Sequence, residues 1–447
     1  MIYAGLIGFF FMEYIRPASY WPFLTPLHLN TIIPLSTAAM TFARSGHPTM
    51  ARMTRDANVQ MIVGLLGLMW LSFMTAAVQE LAWIMLVVVS GFALMAWVIG
   101  CEVTTLRKLK GVVVTLVVVH LCVAALNPKL FTDPETRHYV TSGSFLGDGN
   151  DFALSLNIIV PLCLFLLLDS KKTIVKLFWA GAIFVLVAGI VVTQSRGGTV
   201  GLGCMTIYYW AKSQKKFQTG ALVIVMVGLI LALAPGNYFN RMKLISDTSE
   251  GSASARITAW TAATRMAIDN PIVGVGVGHF GMMIGTQYRP AGFAGAGMNA
   301  HSIYFVALGE MGFPGLILLL WFIGWNLRAN QKLAGELKDR ASPAASTDLQ
   351  LLSSLSASLI AFAAAGAFLS ALYYPHLYVI AGILTAGRQV VRSRMTEGTA
   401  TTAAPVTTPK VSLHWALRPP PRRSLANDAA ARPRLTPGAA TRSRGGR

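Results

Sequence analysis

Leu81–Gly100 reads LAWIMLVVVSGFALMAWVIG, a run without one charged side chain. An α-helix needs about 20 mostly apolar residues to cross the ~30 Å hydrocarbon core of a bilayer, so this stretch predicts a transmembrane helix. On its N-terminal side lies the short turn Val78–Glu80, and before that a second apolar run, Val59–Ala77. On its C-terminal side Arg107, Lys108 and Lys110 separate it from a third, Gly111–Leu126. The alternation continues both ways. Upstream are Phe23–Phe42 and the short Ile2–Met12. Downstream are Phe152–Leu168, Val175–Thr193, Gly198–Trp210, Leu222–Leu233, Ile303–Trp325, Leu351–Ala371 and Leu377–Thr385. Backbone polar groups in hydrocarbon must be satisfied internally, and runs of this length without strict alternation exclude a barrel of transmembrane strands. The expected fold is all-α: a polytopic membrane protein of about 11–12 transmembrane helices, counted at about 20 residues per span.

Composition points the same way. Of 447 residues, 54% are hydrophobic and 12% charged, with a mean hydropathy of +0.55; soluble domains carry about 25% charged residues. A formal net charge of +19 on a soluble protein would suggest nucleic acid. Here the cations sit in short loops and a C-terminal tail, with no basic patch interleaved with aromatics. No nucleic-acid partner is expected; the cations read as topology determinants and contacts for anionic membrane lipid. One set of loops carries Arg44, Arg52 and Arg55, the Arg107 group, Lys171, Lys172 and Lys176, then Lys212, Lys215 and Lys216, then Arg328, Lys332, Lys338 and Arg340. The alternate set is sparser in Lys and Arg: Val78–Glu80, Asn127–Asp151, Gln194–Gly197, residues 235–302 and Tyr373–His376. The positive-inside rule puts the first set in the cytoplasm and the second outside.

The expected division follows: residues 1–234 as N-terminal transmembrane helices, 235–302 as one large outer loop, 303–394 as C-terminal helices, and 395–447 as a disordered basic cytoplasmic tail. The tail includes TATTAAPVTTP and RPPPRR, a composition that cannot bury a core. The first stretch has neither a basic n-region nor a cleavage site and reads as a retained helix. Cys101, Cys122, Cys163 and Cys204 lie in or beside apolar runs without CxxC spacing, so they read as small hydrophobes.

Three polar clusters fall on the sparse side. Ser195-Arg196-Gly197-Gly198 is a turn between two apolar helices. An Arg at a helix start beside glycines presents its planar fork, with backbone N–H groups, to an anion such as phosphate; the plain alternative is an interfacial Arg anchoring a hairpin. The second cluster runs from Arg256 to Pro271. Arg256 and Trp260 share a helix face, with Ile257, Trp260, Thr264 and Ala267 as an apolar stripe, and Asn270-Pro271 ends the helix. Arg265 lies about 180° away from Arg256. The functional reading directs Arg256 at a lipid phosphate; the structural one makes Trp260 a belt residue of an interfacial helix. The following GVGVG (Gly274–Gly278) lacks GxGxxG spacing and reads as a tight turn.

The third cluster is Asn299-Ala-His301-Ser-Ile-Tyr304, at the start of the next helix. A His there feels the positive dipole end, which disfavours its protonated form and suits it to accept a proton as a general base. Tyr304 shares its face and is placed to orient it or a substrate; the plain alternative makes His301 a structural donor. Glu310 lies in or near the apolar zone, before the break Gly312-Phe-Pro-Gly315. An ionisable group there is costly and so a functional candidate, or else a structural partner to an Arg. Asp148, Asn150 and Asp151 read as helix caps, the alternative being a divalent metal held with substrate phosphates. Tyr373, Tyr374 and His376 read as interface aromatics.

Taken in order, SRGG, then R-x-x-x-W before NP-x-x-GVGVG-x-F, then AH-S-x-Y-x-x-x-x-x-E-x-G-x-x-G resemble the O-antigen ligase and polymerase superfamily, which includes bacterial protein O-oligosaccharyltransferases. The N-terminal MIYAGLIGFFFMEYIRP and the SFLGDGNDFAL stretch resemble the branch of O-glycosylation ligases associated with exosortase systems. The resemblance implies a multi-helix glycosyltransferase fold in the bacterial inner membrane with its active site facing the periplasm. It implies metal-independent, inverting transfer of a glycan from a polyprenyl diphosphate to an acceptor hydroxyl of protein, lipid core sugar or growing polysaccharide, without cofactor. Arg196 and Arg256 would bind the donor diphosphate and His301 would activate or position the acceptor. Ser195, Trp260, Arg265, Tyr304 and Glu310 are the expected supporting residues. AHS stands where many members have a His-Asn pair, so that amide is absent. The rival from another class, a transporter or flippase of a lipid-linked glycan or other amphiphile, calls for midplane charges and repeated halves; these charges cluster in outer loops instead. A scaffold acting through the basic tail is the third reading, and it alone requires the residues after Met395.

Overall fold

The computed structural model describes residues 1–44, 53–133, 140, 146–213, 216–233, 251–289, 297–338 and 343–402. Residue 234, residues 235–250 and 290–296 of the expected outer loop, and the expected tail from residue 403 lie outside the described residues. The chain divides into two units, Met1–Gly398 and Thr399–Arg447, and the helix bundle is built within the first. Apart from a 3-10 turn at Pro22–Leu27, the described elements are all α-helices: α1 Ile2–Tyr14, α2 Pro17–Tyr20, α3 Leu29–Ala43, α4 Ala57–Met74, α5 Gln79–Glu102, α6 Leu106–Leu126, α7 Lys129–Thr132 and α8 Gly149–Asp169. They continue with α9 Thr173–Val192, α10 Arg196–Lys212, α11 Lys216–Leu233, α12 Gly251–Asp269, α13 Phe280–Gly285, α14 Ile303–Lys338, α15 Pro343–Gly366 and α16 Pro375–Thr402.

Among the described residues seven helices are long and apolar enough to cross a bilayer: α4, α5, α6, α8, α9, α14 and α15. The chain is a polytopic α-helical membrane protein. The remaining expected spans differ for local reasons. α1 has 13 residues, which at 1.5 Å per residue is roughly 20 Å, short of the ~30 Å core. The run Phe23–Phe42 is broken at His28, whose backbone is left-handed (φ 44°), into the 3-10 turn and α3. Among the seven, α15 ends at Gly366, before the expected Ala371. Leu377–Thr385 is the opening of the 28-residue α16, which continues past the composition change at Met395.

α8 is the most enclosed of the seven. Of its apolar window 78% is buried, against 28% for α4, and α6, α9, α10 and α15 pack around it. At the end of the bundle that carries the basic loops, ion pairs tie helices together: Arg44–Glu102 at 3.3 Å, Lys108–Glu102 at 3.9 Å, Lys110–Asp169, and Arg394–Asp348 at 3.0 Å. The opposite end gathers the three polar clusters.

The expected break in α14 is present, and residues 271–275 fill it. Gly312 has φ 66° and ψ −164°, interrupting the helix. Phe313 N–H donates to Pro271 C=O at 2.9 Å and Val275 N–H to Gly309 C=O at 3.0 Å. Irregular backbone at membrane depth is tolerated where protein satisfies it, and here a loop does so. That docking requires glycine. Gly274 has φ +66°, and a Cβ on it would stand 2.3 Å from the carbonyl carbon of Glu310. Gly274→Ala is therefore expected to lower stability by more than the about 1–2 kcal/mol of left-handed strain alone. A lower melting temperature of the detergent-purified protein checks this; an unchanged one would show that the docking is loose.

Candidate active site

The segment Ala367–Tyr374, which joins α15 to α16, organises the polar end. The Cβ of Phe368 lies 2.9 Å from where a side chain on Gly197 would begin, so the glycine lets the SRGG turn close onto it. The guanidinium carbon of Arg256 stands 5.9 Å from the centroid of the same ring. Two residues on, Ser370 Oγ accepts the backbone N–H of His301 at 2.9 Å. Arg256, the turn bearing Arg196, and His301 thus meet on one short connection.

Each of the three is set by its own local chemistry. Ser195 caps α10, its Oγ accepting Gly198 N–H at 3.0 Å, while Gln194 before it has φ 52°. Asn157 of α8 donates to Gly198 C=O and to Ala153 C=O, both at 2.9 Å. Arg196 is half-buried in the first helical position, where unsatisfied backbone N–H groups and the positive dipole end lie together.

Arg256 and Trp260 sit one turn apart on α12. Trp260 Nε1–H donates to Ala300 C=O at 2.9 Å, and its ring stacks on Phe305 with centroids 4.9 Å apart and planes 9° from parallel. Trp260 therefore fixes the residue just before His301. The apolar face of α12 differs from the expected stripe. Ile257 is 46% exposed and Thr264 is exposed, whereas Ala259, Ala262, Ala263, Met266 and Ala267 are buried. Small residues let α12 come close to Gly309 of α14, where Ala263 Cα is 3.5 Å from a would-be Cβ. Arg265 is exposed, nine residues along α12 from Arg256, about 13 Å on at 1.5 Å per residue, and lies apart from the cluster. Trp260→Phe keeps the stack and removes the hydrogen bond. With such a bond worth about 1 kcal/mol to stability, a melting temperature lower by a few degrees is expected, together with a drop in turnover of up to roughly fivefold.

His301 is exposed and holds φ 48°. Non-glycine residues in that region cost energy and cluster at functional sites. Tyr304 does not orient it through its proton: its O–H donates to Ala363 C=O at 2.9 Å and fastens α14 to α15. Glu310, expected as a supporting residue or the partner of an Arg, meets no Arg among the described residues. Its carboxylate oxygens accept Gly278 N–H at 2.7 Å, Phe280 N–H at 2.8 Å and the Tyr373 O–H at 2.5 Å. Burial, and then the Glu310 carboxylate, hold the Tyr373 phenol well above its ordinary pKa, so it keeps the proton it donates. Ser72 Oγ donates to the Glu310 backbone carbonyl at 2.8 Å.

Asp148 caps α8 by accepting Asn150 N–H at 3.1 Å, and Asp151 accepts the Tyr374 O–H at 3.4 Å. Tyr373 and Tyr374 are thus hydrogen-bonding side chains rather than interface aromatics. Sequence reasoning passed over His279, Phe368 and Ser370. His279 is fully buried, donating from Nδ1 to Val277 C=O and accepting Val78 N–H on Nε2, both at 2.9 Å. It anchors the glycine turn, whose Gly274, Gly276 and Gly278 all have positive φ, to the start of α5.

Residues 181–320 match the family model for O-antigen ligase. No curated protein matches the chain. The matched region contains the SRGG turn, α12, the glycine turn, His301 and Glu310, and ends before Phe368, Ser370 and Tyr373.

Proposed function

We propose, for a chain that belongs through residues 181–320 to the O-antigen ligase superfamily, that it transfers a glycan from a polyprenyl-diphosphate carrier to an acceptor hydroxyl at the periplasmic face of the bacterial inner membrane. The observation that carries this reading is the convergence of Arg256, the Arg196 turn and His301 on Phe368–Ser370. The basic ends of the helices lie at the other end of the bundle, which supports the outward placement of the site by the positive-inside rule.

In the proposed reaction the acceptor oxygen attacks the anomeric carbon on the face opposite the leaving group. The new C–O bond forms as the bond to the carrier diphosphate breaks, which inverts the configuration. His301 takes the hydroxyl proton and, being exposed, passes it to solvent. The diphosphate leaves with increased negative charge, and the two guanidinium forks meet that charge in bidentate fashion without requiring a metal. A general base contributes roughly 10²–10⁴-fold, so His301→Ala is expected to lose about that factor. Trp260, Glu310 and Ser195 act by fixing these groups in position.

Incubating the purified protein with a polyprenyl-diphosphate glycan and candidate acceptors (protein, lipid core sugar, polysaccharide), then measuring each acceptor's mass, tests the reading. An increase by one glycan on one acceptor class supports it and names the acceptor. Transport of the labelled lipid across a vesicle membrane with no acceptor modified would overturn it in favour of a flippase.

A further inference from the structure

At the opposite end of the bundle a cavity of about 1370 Å³ opens between α8, α9, α10, α11, α14 and α15. Its exposed wall surface is mainly apolar, with serines and Asn330, Gln331 and Gln350 interspersed, and none of its lining residues belongs to the polar cluster. On α15 the lining runs from Ala345 to Ile360, about 22 Å of helix at 1.5 Å per residue. That exceeds the ~15 Å depth of one leaflet of a ~30 Å core. The mouth carries Lys212 at the end of α10 and Lys338 at the end of α14, both exposed and both lining the cavity. One turn from Lys212, Tyr209 O–H donates to Ser354 Oγ at 3.1 Å, and about 12 Å along α14 from Lys338 Asn330 Nδ2 donates to Ser356 Oγ at 3.1 Å, so these polar wall groups are held by partners within the wall. The cavity is leaflet-deep with a mainly apolar wall surface, and two exposed cations are among its lining residues.

We infer that this cavity binds an anionic phospholipid, its acyl chains between α8 and α15 and its phosphate between Lys212 and Lys338. Charge complementarity selects the occupant. A neutral or zwitterionic lipid gains nothing net from two lysines, whereas an anionic headgroup gains about 1 kcal/mol from each at a membrane surface. Together that is roughly a 30-fold preference. The site lies at the end of the bundle away from the proposed transfer chemistry, so it stands whether or not that reading holds.

The test uses the full chain, purified and delipidated in detergent, then titrated with phosphatidylglycerol, phosphatidylcholine or a polyprenyl monophosphate, with retention read by native mass spectrometry. Wild type is expected to retain phosphatidylglycerol about 30-fold better than phosphatidylcholine. The variant K212Q/K338Q is expected to lose that preference while keeping its melting temperature and its glycan transfer. Ser353→Trp, placed to fill the cavity from α15, is expected to retain neither lipid. Equal retention of the two phospholipids by wild type would overturn the inference. So would an undiminished preference in the double variant, or retention of the polyprenyl monophosphate in place of phosphatidylglycerol.

Discussion

Arg256→Ala is expected to lower the turnover of glycan transfer by about 10²–10³-fold, the loss seen when one preorganised donor to a developing negative charge is removed. The half-buried Arg256 holds its guanidinium against Phe368 at the bundle's polar end. Its removal leaves the fastening of α12, carried by Trp260 and the alanine face, in place. The melting temperature should fall only modestly, by the equivalent of about 0.5–1 kcal/mol for the lost contact with the Phe368 ring. Arg256→Lys should recover only part of the rate, because an ammonium carries the charge without the planar fork. Steady-state rates for the three proteins check this. Full activity in Arg256→Ala would remove the residue from the site.

Glu310→Ala is expected to do the opposite: to cost stability first and activity as a consequence. It strips the partner from two backbone N–H groups, of Gly278 and Phe280, and from the Tyr373 hydroxyl. A buried donor left without an acceptor costs about 1–3 kcal/mol, so the total is several kcal/mol, a large share of the stability of an ordinary domain. Tyr373→Phe removes one of the three bonds and leaves the others, and should cost about 1 kcal/mol with transfer retained. Glu310→Gln should fall between, since an amide accepts through one oxygen only. Thermal unfolding in detergent ranks the three. A substrate-binding Glu310 would give a different ranking, with all three proteins equally stable and Glu310→Ala inactive.

These two residues also show what was legible in the sequence. Arg196, Arg256 and His301 stood out because charged and imidazole side chains are scarce in so apolar a chain, and their spacing to Gly, Trp and Tyr was visible locally. The spans were legible wherever an uninterrupted apolar run reached bilayer length, as at Leu81–Gly100. The end of α15 was not. Its apolar run continues to Ala371, and the helix stops at Gly366 because Phe368 and Ser370 are drawn onto Gly197 and His301, residues far away in sequence. Glu310 looked like a costly ion seeking an Arg; its partners are backbone groups of the glycine turn, which no side-chain pattern reveals. The buried face of α12 was misread because its alanines are less hydrophobic than Ile257. Close approach to Gly309 depends on their small size, not on hydropathy.

In the proposed transfer Arg196 and Arg256 hold one diphosphate between them. Equilibrium binding of a polyprenyl diphosphate to wild type, Arg196→Ala, Arg256→Ala and the double variant measures it directly. Two forks on one ligand group should couple, so the double variant is expected to lose less binding energy than the two singles combined, with an interaction of about 0.5–3 kcal/mol. Additive losses within about 0.3–0.5 kcal/mol, or a single variant that binds as tightly as wild type, would contradict the clamp.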